Sequence, residues 1–228
     1  MSVGVMETNK YFVYSSHKTA SQSITKLLNT SSMHEICHLN LNKTTFINIL
    51  KNRLLTNNKI NFISIIRDPM TRLKSSFFQL NHDDDVNYNN KNELETLIMK
   101  NNTLKLFEIF LNNIKKNQQL TGESIFELEE IFLVNICDNL INMGDYLFYN
   151  HELFNLYVFN FEDIKQNKLI NILKKLFSNN INKKYIPQNI TEKKIYNKKY
   201  KEFITYNMPK LYVEMINKKY KKIYDLLK

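Results

Sequence analysis

Glycine, proline and cysteine are scarce in this chain of 228 residues, which contains 3 Gly, 3 Pro and 2 Cys. Because so few residues interrupt regular structure, the sequence predicts long helices joined by asparagine-rich connections. Cys37 and Cys137 lie far apart and form no spaced pattern, so they exclude a disulfide framework. We therefore expect a protein of a reducing, cytoplasmic compartment.

Long apolar runs are also absent, since no stretch of about 18 apolar residues occurs. The first residues lack the basic-then-apolar design of a secretion signal. Together these absences predict a soluble protein without a transmembrane segment. Positive charge, in contrast, is abundant: the formal net charge is +10, with a local excess between Lys183 and Lys222. This charge favours an anionic partner such as a nucleotide, an acidic glycan, nucleic acid or a membrane surface.

Alternating strand and helix patterns predict an α/β fold in a single domain of residues 1–228. Strands are expected at 11–15, 60–66 and 156–161, and a short segment around 33–39 is the expected second strand. Such alternation predicts a central parallel sheet flanked by helices, with ligands at the carboxyl ends of its strands.

The apolar periodicity also predicts the helices of the chain. Asp68 and Pro69 provide an N-cap and a first helical residue, and Gly144 is expected just past the end of another helix. The final pair of helices forms a C-terminal extension. The expected helices cover residues 21–29, 43–55, 69–80, 93–117 (with a break), 123–143, 163–178, 192–206 and 210–227.

The stretch "YFVYSSHKTASQSITKLL" (11–28) is a strand, a polar loop and a helix. The free N–H groups and the dipole at the start of such a helix attract an anion. Lys18 adds a charge, and Thr19, Ser21 and Ser23 add hydroxyl donors. Since the loop has no glycine, it lacks the wide wrap of a triphosphate loop. It predicts a site for one compact anion, and an ordinary capped helix is the alternative.

The stretch "IIRDPMTRLKSSF" (65–77) predicts a second anion site. Arg67 ends a buried strand and has the geometry to bind an anion through two parallel hydrogen bonds. Ser75 lies two turns into the following helix, with its side chain leaning toward the helix N-terminus. On its own the stretch also fits a capped helix with a structural arginine. Two such sites at the ends of parallel strands suit a ligand with two separated anionic groups.

These motifs resemble those of sulfotransferases that use 3′-phosphoadenosine 5′-phosphosulfate (PAPS). "HKTASQS" resembles their loop PKT-(A/G)-S-T-S, with His17 in place of Pro and Gln22 in place of Thr. "RDPMTRLKSSF" is similar to R-(D/N)-P-x-x-R-x-x-S-x-(F/Y), with Arg67, Ser75 and Phe77 in register. "VFNFEDI" resembles a later strand-to-helix element of the family. The run from residue 189 to 227 resembles the tail of a capsular polysaccharide synthesis subgroup, and residues 81–150 match no motif.

The resemblance implies a P-loop-like three-layer fold that transfers a sulfuryl group from PAPS to a hydroxyl of a carbohydrate or polysaccharide. The product nucleotide is 3′,5′-ADP, and no metal is required. Lys18 would neutralise the charge that develops on the leaving oxygen, and Arg67 and Ser75 would hold the 3′-phosphate. The implied 5′-phosphosulfate site consists of His17, Lys18, Thr19, Ala20, Ser21, Gln22 and Ser23.

Members of this family use either His or Glu as the general base that accepts the proton of the acceptor hydroxyl. His38 and His34 are the candidates here, and His38 is preferred because the end of its expected strand faces the ligand edge. Glu162 is the carboxylate alternative.

Two other classes of function remain open at this point. "HEICH" (34–38) matches the zinc-peptidase signature H-E-x-x-H, which requires a helix that presents both imidazoles on one face. Read as a strand, the same segment places His34, Ile36 and His38 on one side. The positive charge and the interleaved Tyr and Lys near the C-terminus suggest a nucleic-acid-binding domain. No signature of such a domain is present, so no nucleic-acid partner is expected.

Overall fold

The chain adopts an α/β fold with one mixed, mostly parallel sheet. The computed structural model describes residues 11–15, 21–28, 31–32, 59–80, 96–100, 102–116, 124–165, 168–176, 201–203, 205–207, 209–210, 214 and 218–227. One compact unit lies within Met1–Ile66, Glu123–Pro187 and Tyr224–Lys228, and the other within Arg67–Gly122 and Gln188–Ile223. The single domain expected for residues 1–228 stays a prediction.

The sheet belongs to the first unit, and the described residues contribute six strands to it. These are β1 (Tyr11–Val13), β2 (Ser31–Ser32), β3 (Ile60–Ile66), β4 (Ile141–Asn142), β5 (Leu147–Asn150) and β6 (Phe154–Asn160). They lie side by side in the order β2-β1-β3-β6-β5-β4. The first four in this order are parallel, as predicted, whereas β5 and β4 are antiparallel to their neighbours. Short connections between β4, β5 and β6 require this reversal.

The described helices lie between β1 and β2, between β3 and β4, and after β6. They are α1 (Ser21–Leu28), α2 (Pro69–Leu80), α3 (Thr103–Lys116), α4 (Ser124–Phe132), α5 (Glu162–Lys165), α6 (Lys168–Leu176) and α7 (Lys218–Leu226). None of them has the length and apolar character needed to cross a membrane, a finding limited to the described residues.

Successive side chains of a strand point to opposite faces of the sheet. Both faces of the central strands carry apolar side chains, and helices pack on both of them. On one face Val13, Ile63 and Ile65 share a buried cluster with side chains of α1 and α6. On the other face the ring of Phe62 lies 6.4 Å from that of Phe132, at the end of α4. Phe62 is completely buried. The first unit is therefore a layered α/β arrangement around a buried sheet.

Several sequence predictions of helices are confirmed. The helix expected at 21–29 is α1, and the helix opened by Asp68 and Pro69 is α2. The break expected within 93–117 falls before α3, where the side chain of Asn102 accepts a hydrogen bond from Lys105 N–H at 3.1 Å and caps the helix. The helix expected at 163–178 is split into α5 and α6. The expectations at 33–39 and 43–55 lie outside the described residues.

The helix predicted for 123–143, with Gly144 at its C-terminus, is wrong. The helix α4 ends at Phe132, and Leu133 then adopts a left-handed conformation with φ of 54°. A carboxylate oxygen of Glu129 accepts hydrogen bonds from Ile136 N–H and Cys137 N–H, both at 2.8 Å, and so holds the turn that follows. Gly144, with φ of 85°, lies instead in the turn between β4 and β5.

Ser15 changes how β1 pairs with β3 at the carboxyl end of the two strands. The backbone N–H of Tyr14 still donates to Ile63 O, at 2.9 Å. One residue later the side chain takes over: Ser15 Oγ accepts from Ile65 N–H and donates to Ile65 O, both at 3.0 Å. Because a side chain replaces the main chain in this pairing, the backbone of β1 can separate from β3 at Ser15.

The described part of the second unit packs around a cluster of phenylalanine rings. Phe77 of α2 stacks on Phe203, with ring centroids 5.7 Å apart and planes 13° from parallel. Phe110 of α3 meets both rings edge-on, at 5.3 Å from each. Leu73 and Leu106 are buried against the same cluster. This core fixes α2, which carries the second predicted anion motif.

Candidate functional site

The strand order creates a switch point between β1 and β3. From β1 the chain continues to β2 on one side, whereas β3 and β6 lie on the other side. In open α/β sheets ligands bind outside the carboxyl ends of the strands at such a reversal, as in the strand order 2-1-3 of flavodoxin-like folds. The segments that follow β1 and β3 are those in which the sequence predicts anion binding.

The strand expected at 11–15 ends at Val13, whereas the helix that follows begins at residue 21 as predicted. Residues 16–20 lie between Ser15, two residues after the end of β1, and Ser21, the first residue of α1. Of the predicted phosphosulfate residues, Ser21, Gln22 and Ser23 form the first turn of α1. His17, Lys18, Thr19 and Ala20 lie outside the described residues.

The segment after β3 is described in full. Arg67 follows the last residue of β3, and the side chain of Asp68 then caps α2. One oxygen of this carboxylate accepts hydrogen bonds from the backbone N–H and from the hydroxyl of Thr71, both at 2.7 Å. The predicted N-cap and N1 proline are confirmed. Ser75 lies half-buried in α2, two turns from its start.

Three basic side chains are buried in this segment. Arg67, Arg72 and Lys74 are 8%, 5% and 5% exposed, and Asp68 is the acidic residue between Arg67 and Ser75. Burial of a cation is costly unless negative groups or hydrogen-bond acceptors surround it. The segment after β3 thus places three buried basic side chains between residues 67 and 74. Arg72 and Ser75, three residues apart on α2, lie on the same side of the helix.

Lys74 points away from that side and contacts another part of the second unit. Its Nζ donates a hydrogen bond of 2.6 Å to the backbone carbonyl of Tyr206. Burial lowers the pKa of the Lys74 ammonium, and the negative charge of Asp68 partly counteracts this effect. Lys74 thus joins α2 to the backbone near the aromatic cluster, in which the ring of Tyr206 lies 5.5 Å from that of Phe107.

We expect Lys74→Met to remove a pH dependence of stability at alkaline pH. Because the pKa of Lys74 is lowered from 10.5 on folding, the unfolded chain binds more protons between the folded-state pKa and 10.5. The free energy of unfolding then rises with pH in that window. Urea unfolding of both proteins, from about pH 8 upward, measures the difference between wild type and variant. This difference should increase with pH, and a constant difference contradicts the prediction.

Two carboxylates of the first unit lie near the carboxyl ends of its strands. The hydroxyl of Tyr14, directly after β1, donates a hydrogen bond to Glu127 Oε2 in the first turn of α4. Glu162 follows β6, and its backbone N–H donates to Asn160 Oδ1 at 3.0 Å. Glu162 was a sequence candidate, whereas Glu127 was missed because Tyr14 and Glu127 are 113 residues apart.

The histidine candidates His34 and His38 lie outside the described residues, and so does the whole segment "HEICH". Within the ranges that the structure describes, no group of three or more His, Cys, Asp or Glu side chains is placed to hold a metal ion. Neither the base assignment nor the zinc-peptidase alternative is therefore tested.

Comparisons with known proteins found no match among family models, curated proteins or solved structures.

Arg72 and Lys74 were not predicted to have a role, although both belong to the stretch that resembles the 3′-phosphate motif. Their basic side chains at two-residue spacing, in a helix that follows a buried strand, were a signal that could have identified them.

Proposed function

We propose that the protein is a PAPS-dependent sulfotransferase with a P-loop-like fold, which transfers a sulfuryl group to a carbohydrate hydroxyl. One observation carries the proposal: the two anion-binding motifs follow β1 and β3, the two strands at the switch point of the sheet. A sheet of this order is expected to bind its ligand beyond the carboxyl ends of those strands. Two anion sites suit PAPS, which carries a 5′-phosphosulfate and a 3′-phosphate.

Burial and charge support the assignment of the 3′-phosphate to the segment after β3. Arg67 is buried directly after the strand, so its guanidinium is held in place before a ligand binds. A guanidinium binds phosphate through two parallel hydrogen bonds, which a lysine cannot reproduce. Arg72 adds a second buried cation on the side of α2 that carries Ser75. We propose that Arg67 and Ser75 contact the 3′-phosphate and that Arg72 strengthens the positive potential there.

The segment after β1 would bind the 5′-phosphosulfate. The start of α1 at Ser21 supplies N–H groups that suit an anion at the end of a short connection. Lys18 and the hydroxyls of Thr19, Ser21 and Ser23 complete the proposed site, with His17, Ala20 and Gln22 along the same loop. In the reaction the acceptor oxygen attacks sulfur in line and the bond to the bridging phosphate oxygen breaks. Lys18 stabilises the negative charge that develops on this oxygen.

The acceptor class is proposed from the resemblance of residues 189–227 to the capsular polysaccharide synthesis subgroup. A polysaccharide hydroxyl is a weak nucleophile, so a general base must take its proton as the bond to sulfur forms. His38 and His34 are the residues that the sequence proposes for this role.

Calorimetric titration with 3′,5′-ADP, 5′-AMP and ATP tests the donor. Hydrogen bonds to charged groups contribute about 1.5–3 kcal/mol each, so the 3′-phosphate should tighten binding at least about tenfold over 5′-AMP. Arg67→Lys keeps the charge but not the paired geometry and should reduce this preference. Lys210→Ala, at a side chain that is 91% exposed, is the matched control and should bind like wild type. Equal affinity of wild type for 3′,5′-ADP and 5′-AMP would refute the proposal.

A further inference from the structure

Tyr14 and Glu127 form a pair at the carboxyl end of β1 that the proposed mechanism does not use. Tyr14 is completely buried, and its ring lies 6.0 Å from that of Phe62 on the neighbouring strand. Its backbone N–H donates to Ile63 O, which fixes the residue in the sheet. Its hydroxyl donates to Glu127 Oε2. The sheet therefore holds one oxygen of this carboxylate through Tyr14, the residue that directly follows β1.

The helix α4 begins at the same end of the sheet. The hydroxyl of Ser124, its first residue, lies 3.0 Å from that of Ser64, in the carboxyl-terminal half of β3. Phe132, its last residue, packs against Phe154 with ring centroids 4.5 Å apart, and Phe154 is aligned with Ile60 at the start of β3. The first turn of α4, including Glu127, consequently lies toward the carboxyl ends of β1 and β3.

We propose that Glu127 is the general base of the transfer, an inference that rests on the proposed function. Glu127 is partly exposed, and one of its two carboxylate oxygens accepts the hydrogen bond from Tyr14. The acceptor hydroxyl gives its proton to Glu127 as its oxygen bonds to sulfur. The bond between sulfur and the bridging oxygen breaks, 3′,5′-ADP leaves, and the protonated Glu127 returns its proton to solvent. With water as acceptor the other product is sulfate.

Glu162 is a weaker choice among the described carboxylates of the first unit. It follows β6, and β3 separates β6 from β1 in the sheet. Its neighbour Asp163 lies 3.7 Å from Lys168 Nζ, on the stretch that leads into α6. Glu127 is instead attached through Tyr14 to β1, one of the two strands at the switch point. The hydrogen bond from Tyr14 also gives its carboxylate a fixed orientation, as a base requires.

Glu127→Gln tests this role because glutamine has the same shape and still accepts the hydrogen bond from Tyr14, but cannot take a proton. The measurement is the rate at which saturating PAPS releases 3′,5′-ADP, first with water as acceptor and then with a panel of polysaccharides. General-base catalysis contributes about 10²–10⁴-fold, so we expect a fall of at least about 10²-fold. The affinity for 3′,5′-ADP should change less than about twofold, since the base does not contact the donor nucleotide.

Glu130→Gln, on the exposed side of the same helix, is the matched control and should release 3′,5′-ADP at the wild-type rate. Glu127→Ala provides a second test that does not depend on glutamine: added acetate should restore part of its rate, because a small carboxylate can replace the missing base. A purely structural role of Glu127 predicts no rescue by acetate.

The outcomes separate the inference from the proposed function. A wild-type protein that releases no 3′,5′-ADP from PAPS refutes the sulfotransferase proposal and the base assignment with it. If wild type is active and Glu127→Gln is equally fast, only the base assignment is wrong, and His38→Ala measured in parallel shows whether the histidine holds that role. A slow Glu127→Gln, together with acetate rescue of Glu127→Ala, supports Glu127 as the base.

Discussion

Under the proposed function, Lys18→Ala should reduce release of 3′,5′-ADP from PAPS by about 10³-fold, because removal of one group that stabilises developing charge typically costs about 10²–10³-fold. Lys18 carries a full positive charge, so its loss is expected at the upper end of that range. Lys18 belongs to the sequence between β1 and α1, and β1 is one of the two strands at the switch point of the sheet. The effect should fall on turnover more than on the affinity for 3′,5′-ADP, which lacks the sulfuryl group and the bridging bond.

The control for this experiment is a second lysine-to-alanine change at an exposed position. Lys210→Ala removes the same charge from the protein and should leave turnover unchanged. Far-ultraviolet circular dichroism and the midpoint of urea unfolding show whether Lys18→Ala is folded. If the variant retains turnover, Lys18 does not stabilise the leaving group. If it unfolds, Lys18 is structural and the proposed role is wrong.

Phe62→Ala should lower the free energy of unfolding by about 3–5 kcal/mol, since such a truncation removes apolar burial and leaves a cavity. Phe62 is completely buried in the middle of the sheet. Its ring lies 6.0 Å from that of Tyr14, 5.6 Å from that of Phe154 and 6.4 Å from that of Phe132. These contacts join β3 to β1, β6 and α4, so the cavity left by Phe62→Ala would weaken the packing of both neighbouring strands and of the helix.

Phe62→Leu is the matched control because it keeps most of the buried volume, and its destabilisation should be less than half that of Phe62→Ala. Urea unfolding at one pH and temperature gives both values. A loss below about 1 kcal/mol for Phe62→Ala would mean that the site collapses around the missing ring or that this face is not the core. Since typical domains are stable by about 5–15 kcal/mol, the expected loss is a large share of the total.

The central strands and the two helices that start the anion segments were predictable from the sequence. Residues 60–66 are rich in isoleucine and phenylalanine, and β3 covers Ile60–Ile66 as expected. Asp68 and Pro69 have the residue types that begin a helix, and α2 starts there. These predictions succeeded because each depends on neighbouring residues alone.

Other elements depend on contacts that no local pattern reveals. The helix α4 ends early because the side chain of Glu129 satisfies the backbone of Ile136 and Cys137, while Leu133 adopts a positive φ that leucine rarely takes. The antiparallel strands β4 and β5 are only 2 and 4 residues long and fell inside or next to the helix that was predicted there. Tertiary contacts decided the structure of this region, not helix propensity.

The candidate site was predicted in part for the same reason. Arg67 and Ser75 stand out because they belong to a recognisable stretch of sequence. Glu127 does not, since its proposed role as a base depends on a hydrogen bond from Tyr14, 113 residues away. The order of the strands also required the structure, because pairing of β1 with both β2 and β3 is a tertiary property. The switch point could not be located before that order was known.

The hydroxyl of Ser15 marks a position after β1 from which the following residues could be replaced. Among the described residues, the hydrogen bonds of the Ser15 side chain with Ile65 are the last link between β1 and β3. Loops of other lengths could be inserted after this residue while β1 stays paired with β3 up to Tyr14. An engineer who replaces the residues from 16 onward would keep Ser15, since its hydroxyl holds the chain after β1 against Ile65.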